Sequence, residues 1–203
     1  MPKYFWIALA LAVFLLPVSL HTLDVPLAVF CAHLRWPVQS LGNHFGSAVL
    51  VSGEAVVVAG LILFRLVSGR LANWARMTVI ACGVSLSAYA LCDVALKMVF
   101  GMPNPADVLA GAPHAFRFLQ GNWQSSFPSG HMALACGFTA TFMGQDRRLL
   151  WTLVAGTALA GLLLVAGNWH FLSDVIAGAL VGSIAGVTAA KLWAQHLVDV
   201  RRG

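Results

Sequence analysis

Two histidines, an aspartate and a lysine stand at spacings suited to nucleophilic and acid–base chemistry on an anion. His170 and Asp174 are four residues apart, so on a helix they share one face. A carboxylate so placed accepts from one ring nitrogen, fixes the tautomer and leaves the other nitrogen free to attack. An acid within an apolar span is costly and marks a functional position by default. With no such role, the pair would simply glue two helices together. The four-residue series continues through Gly178, Gly182 and Gly186, a small-residue stripe suited to close helix packing. The His–Asp face therefore points into the protein and not into lipid.

Pro128-Ser129-Gly130-His131 opens an apolar run. Proline followed by serine marks a helix N-terminus, with Ser129 as its cap. Exposed amides and the positive end of the helix dipole favour an anion there, phosphate included. Gly130 would let the backbone approach that anion, and His131 would hand a proton to a leaving oxygen near neutral pH. Taken alone, the motif reads equally as a capped helix with an incidental histidine. Lys97 follows Asp93 by four residues, which suits an ion pair on a snorkelling lysine. Beside an anion-binding helix end it also becomes a phosphate contact. Glu54, inside the second apolar run, is either a further functional acid or a pairing partner.

The elements that must carry these residues are apolar helices. Sixty per cent of the 203 residues are hydrophobic, 9% are charged, and the mean hydropathy is +0.84. A soluble domain carries about 25% charged residues. A chain so poor in charge lacks the polar surface to cover its exterior, and the same figures exclude disorder. Six runs approach the roughly 20 apolar residues that a membrane-spanning helix needs. They lie at 4–20, 46–64, 77–99, 129–143, 149–167 and 171–192, and imply an all-α bundle of six transmembrane helices in one domain, 1–203. The first reads as a retained anchor, since no small-residue cleavage site follows it. Residues 24–40 are expected to lie amphipathically along the outer interface. A loop over 101–128, rich in Gly, Pro, Asn and Gln, joins the third and fourth spans. No internal repeat is present, which counts against a transporter built from inverted halves.

The net charge of +5 is spread singly over the ends of apolar runs, without a cluster of the nucleic-acid type, and no nucleic-acid partner is expected. Topology explains it better. With the N-terminus inside, the cytoplasmic set is Lys3, Arg65, Arg70, Arg76, Arg147, Arg148, Lys191, Arg201 and Arg202, against Arg35, Lys97 and Arg117 outside. Both termini then face the cytoplasm, and the three chemical segments face the exterior. Cys31, Cys82, Cys92 and Cys136 show no CxxC or metal-type spacing and read as small core residues.

Together, these residues resemble the type 2 phosphatidic acid phosphatase (PAP2) family, membrane-embedded lipid phosphatases related to vanadium haloperoxidases. That family reads Lys-x6-Arg-Pro, then Pro-Ser-Gly-His, then Ser-Arg-x5-His-x3-Asp. Here the second motif is complete as 128–131, the third keeps His170 and Asp174, and the first keeps Lys97 and Pro105. Asn104 stands at the first arginine, and the Ser-Arg pair falls on Leu163 and Leu164. Losing one preorganised donor to a developing oxyanion costs about 3–4 kcal/mol. Arg117, His114 and Gln124 in the long loop are the candidates to compensate.

The resemblance implies a lipid phosphatase of a bacterial inner membrane that needs no metal or cofactor and takes its lipid phosphate or diphosphate from the bilayer. It implies His170 as nucleophile, Asp174 as its orienter and His131 as general acid and base. Lys97, Ser129, Gly130 and Asn104 would hold the phosphate oxygens. Two other outcomes fit the same residues: transfer of the phosphoryl group to a second lipid, and a lipid-phosphate-binding scaffold weakened in catalysis by the missing arginines.

Overall fold

The computed structural model describes residues 3–34 and 43–202, with side chains over 5–34 and 51–197. Helix α1 (Lys3–Val18) passes through a π-helical turn, Ser19–Leu23, into α2 (Asp24–Leu34). Pro17, which lacks an N–H for the helical ladder, sits just before that turn. Helix α3 (Asn43–Ser68) and α4 (Asn73–Ala90) follow, and α4 continues through a second π-helical segment, Leu91–Leu96, into α5 (Lys97–Phe100). Gly101, at φ 58°, ends α5 in the left-handed region that glycine tolerates best. A short α6 (Pro105–Leu109) lies in the long loop, and α7 (Gly130–Thr141), α8 (Arg147–Ala166) and α9 (Leu172–Arg202) complete the chain.

Polarity is inverted relative to a protein folded in water. Phe14, Leu66, Val67 and Leu162 lie outside, each at least 67% exposed. Ser19, Asp24, Ser85, Thr141, Ser173 and Asp174 are all buried. Only an apolar solvent makes that arrangement favourable, and helices satisfy their own backbone groups in it. Among the described residues, five helical stretches are long and apolar enough to cross a membrane: Phe5–Leu34, Val51–Ser68, Asn73–Leu109, Arg147–Ala166 and Leu172–Leu197.

The expected fourth span is shorter than the sequence suggests. Instead of 129–143, α7 has 12 residues, or about 18 Å of rise against a hydrocarbon core of about 30 Å. It does not need to meet lipid at both ends, because α4, α8 and α9 enclose it, and Met132, Ala133, Leu134, Cys136 and Ala140 are buried. The first helix is longer than expected. Residues 24–34 continue it without a break, with Asp24, Ala28 and Cys31 buried, while residues 35–40 of the expected interfacial segment lie outside the described residues, as does Arg35.

Among the described helices, α7 and α9 make the most extensive contact. A Cβ added at Gly178 would collide with the Ser129 carbonyl oxygen, one at Gly182 with that of Ala133, and one at Gly186 with that of Gly137. Both sides repeat every four residues, so a groove with no side chains on one helix receives a carbonyl ridge on the other. Replacing Gly182 with Ala should lower stability by about 1–3 kcal/mol despite alanine's better helix propensity. Gly83 on α4 has nothing within 4 Å of an added Cβ. Gly83→Ala should leave the melting temperature in detergent unchanged or raise it. Equal melting temperatures for the two variants would contradict the packing.

Candidate active site

Three remote segments meet at one end of α7. The first comes from the π-helical segment and α5 that continue α4. Lys97, 5% exposed, pairs with Asp93 one turn back, and Tyr89 donates its hydroxyl to the other Asp93 oxygen at 3.2 Å. The long loop folds back onto this helix end, where the amides of Arg117, Leu119 and Gly121 bond to the carbonyls of Phe100, Val99 and Met98.

The second segment is the start of α7. The Ser129 hydroxyl accepts the Met132 amide at 3.4 Å, as a helix cap should. The Ser129 N–H donates to the Asp174 backbone carbonyl at 3.0 Å. The Ser129 amide is therefore used inside the protein, whereas its hydroxyl, which only accepts here, keeps its own hydrogen to donate. Gly130 has a packing role in addition to the one expected. A Cβ there would stand 3.1 Å from an Asp93 oxygen and 3.1 Å from the Tyr89 ring, so its bareness admits α4 to the site.

The third segment joins α8 to α9. The chain leaves α8 with the Trp169 and His170 amides on the Leu164 carbonyl, at 3.1 and 3.3 Å. Asn168 takes the left-handed conformation at φ 54°, which asparagine tolerates. Asp174 then accepts the Phe171 amide on Oδ2 at 2.7 Å, with the same oxygen 3.5 Å from His170 Nδ1. That separation exceeds a formed hydrogen bond, and catalytic contacts of this kind tighten when substrate arrives. The His131 and His170 ring centroids are 5.7 Å apart.

His131, His170, Lys97, Asn104 and Gln124 all line one polar cavity of about 340 Å³. Asp174 sits behind His170, fully buried. The Asn104 amide is tied to Asp107, accepting its N–H at 2.9 Å and donating to its carboxylate at 2.8 Å. Arg117 is exposed and does not line the cavity, and His114 lies 3.4 Å from Asp24 behind the site. Of the three candidates to compensate for the arginines, only Gln124 reaches the cavity. Lys97 is the only Lys or Arg among the described residues lining it, and Asp93 and Asp107 line it too. Leu163 and Leu164 face an adjoining apolar cavity of about 410 Å³, which shares His131 and Trp169 with the polar one and reaches Glu54. Glu54 accepts or shares the Ser85 hydroxyl at 2.8 Å, in keeping with the pairing role.

His170 is 2% exposed. Burial pushes its pKa down to about 3 and the Lys97 charge acts in the same sense, against opposing effects of the Ser126 backbone and Asp93. The ring is therefore a neutral base at working pH. Asp24, fully enclosed behind this segment, carries no motif. Its signal was available all the same, as the only Asp, Glu, Lys or Arg between residues 4 and 34.

A polytopic helical membrane protein with a buried imidazole facing a half-buried one, a lysine and an orienting carboxylate around one polar pocket has the parts of a phosphoryl-handling site. Residues 77–197 match the model of the PAP2 superfamily. This is more than half of the chain, and the protein belongs to that superfamily. Its fold is similar to the crystal structure of Aquifex aeolicus LpxE, with a TM-score of 0.56 and 24% identity, covering 84% of this chain and 96% of that one. Comparison with curated protein sequences returns no match.

The depressed His170 pKa gives a direct test. Ring nitrogen resonances of labelled His170 should report a neutral imidazole throughout pH 5–8. Titration near the ordinary value of about 6.5 would contradict the burial.

Proposed function

We propose that the protein is a membrane lipid phosphatase working through a phosphohistidine. The observation that carries this reading is the pairing of His131 and His170, with ring centroids 5.7 Å apart, at a polar cavity that shares His131 and Trp169 with an adjoining apolar one. A phosphate fits the first and an acyl or prenyl chain the second, so the substrate is a lipid and not a soluble ester.

His170, with Nδ1 toward Asp174, attacks phosphorus with its Nε2 lone pair. The bond from phosphorus to the lipid oxygen breaks, and His131 supplies the proton that the leaving oxygen takes. His131 then accepts a proton from water, whose oxygen attacks phosphorus, breaks the N–P bond and frees inorganic phosphate. Lys97 stabilises the charge on the equatorial oxygens. The excess of Lys and Arg on one side of the membrane supports an exterior-facing site with both termini in the cytoplasm.

The test is a panel of phosphatidic acid, phosphatidylglycerol phosphate, a polyprenyl diphosphate and a lipid A phosphate, with inorganic phosphate as the readout. His170→Ala should lower release at least 1,000-fold, roughly what loss of a nucleophile costs. Undiminished release would end the proposal. A phosphorylated second lipid without free phosphate would identify transfer in place of hydrolysis. Two carboxylates against one ammonium line the pocket. Asp107→Asn should therefore raise kcat/KM for an anionic lipid phosphate roughly two- to fivefold, the scale of an exposed charge interaction. A fall would contradict the charge argument.

A further inference from the structure

We propose that Asp24 is a positioning residue for the His170–Asp174 pair, and that the first helix is in this way part of the catalytic apparatus. The inference rests on the phosphatase reading, yet Asp24 lies outside the 77–197 family match and outside the polar cavity.

A carboxylate 1% exposed on a membrane helix needs strong compensation. Asp24 has it on both oxygens. Oδ1 accepts the Ser19 hydroxyl at 2.7 Å and the Ser173 amide at 3.0 Å. Oδ2 accepts the Ser173 hydroxyl and stands 3.4 Å from His114 Nε2. The π-helical turn Ser19–Leu23 explains how Ser19 can reach it. Residues five apart diverge on an α-helix, whereas i→i+5 bonding brings them onto one face.

These contacts converge on the segment that carries the nucleophile. Ser173 follows His170 by three residues and precedes Asp174. The His114 ring packs edge-on against Phe171, with centroids 4.6 Å apart, and the Phe171 amide holds Asp174 Oδ2. On the other flank, Asn168 donates its side-chain amide to the Ala28 carbonyl at 2.9 Å, one turn along from Asp24. The strand of chain bearing His170 is thus held at residues 168 and 173 by two consecutive turns of α2. His114, a candidate phosphate ligand from the sequence, belongs to this clamp.

Asp24→Asn keeps the shape and replaces the carboxylate by an amide. In detergent, with the lipid phosphate that the wild type hydrolyses, it should lower kcat about 10- to 100-fold, the effect of a displacement near 1 Å. KM should stay within about twofold. Ser173→Ala should lower kcat in the same manner, and the double variant should lose less than the product of the two single effects. Wild-type kcat in Asp24→Asn, or a loss wholly accounted for by a smaller folded fraction, would overturn the proposal while leaving the phosphatase reading intact. If the wild type releases no phosphate from any lipid, the phosphatase reading fails, and His170 ring resonances decide the positioning alone. They should move in Asp24→Asn, and their coincidence with the wild type would overturn it.

Discussion

The site depends on two helices touching without side chains between them. Where Gly178, Gly182 and Gly186 of α9 meet the Ser129, Ala133 and Gly137 carbonyls of α7, no methyl group fits. The bond from the Ser129 amide to the Asp174 carbonyl fixes the register of that contact at the end nearest the polar cavity. His131 lies two residues beyond one partner of this bond, and His170 lies four residues before the other. The distance between the two imidazoles is therefore set by backbone contact, which has little freedom to relax. In lipid, where no hydrophobic drive separates helix–helix from helix–tail contact, such close packing is what holds a bundle together.

Charge in the polar cavity is arranged differently from what the motif residues alone suggest. Lys97 is already paired with Asp93, the Ser129 amide is committed to Asp174, and the Asn104 amide is committed to Asp107. Leu164, where the family pattern has arginine, packs in an apolar cluster with Met132, Cys136 and Val175. A phosphate entering this pocket meets little fixed positive charge. In the proposed reaction, the compensation arrives with the proton on His131 and is strengthened by the low dielectric around a fully enclosed His170. The apolar cavity beside His131 adds binding that does not depend on charge.

Much of the site was legible because it is local. The four-residue step from Asp93 to Lys97 is one turn of the continued α4 helix, and the glycine stripe repeats at the same period. His170 and Asp174 meet as the spacing suggested, although His170 lies two residues before α9 begins, so they do not share a helix face. Ser129 was identifiable as a cap because the Pro-Ser start of an apolar run has few other meanings. What the sequence hid depends on partners remote in the chain. Asp24 meets Ser173 across 149 residues, and Asn168 meets Ala28 across 140. The Ser129 amide looked available because nothing local shows that the Asp174 carbonyl will take it. Hydropathy counts residues without knowing what surrounds them, so it extended α7 beyond its true length. It also ended the first span at residue 20, where the backbone changes to a π-helical turn and continues.

The most direct measurement is chemical trapping of the covalent intermediate. Purified protein is mixed with a lipid phosphate carrying labelled phosphorus, quenched in alkali before turnover is complete, and mapped by peptide. The expected result is label on the peptide containing His170, stable in base and lost in acid, and absent from the same peptide of His170→Ala. Turnover with no protein-bound label at any time, or label on another residue, would contradict the account.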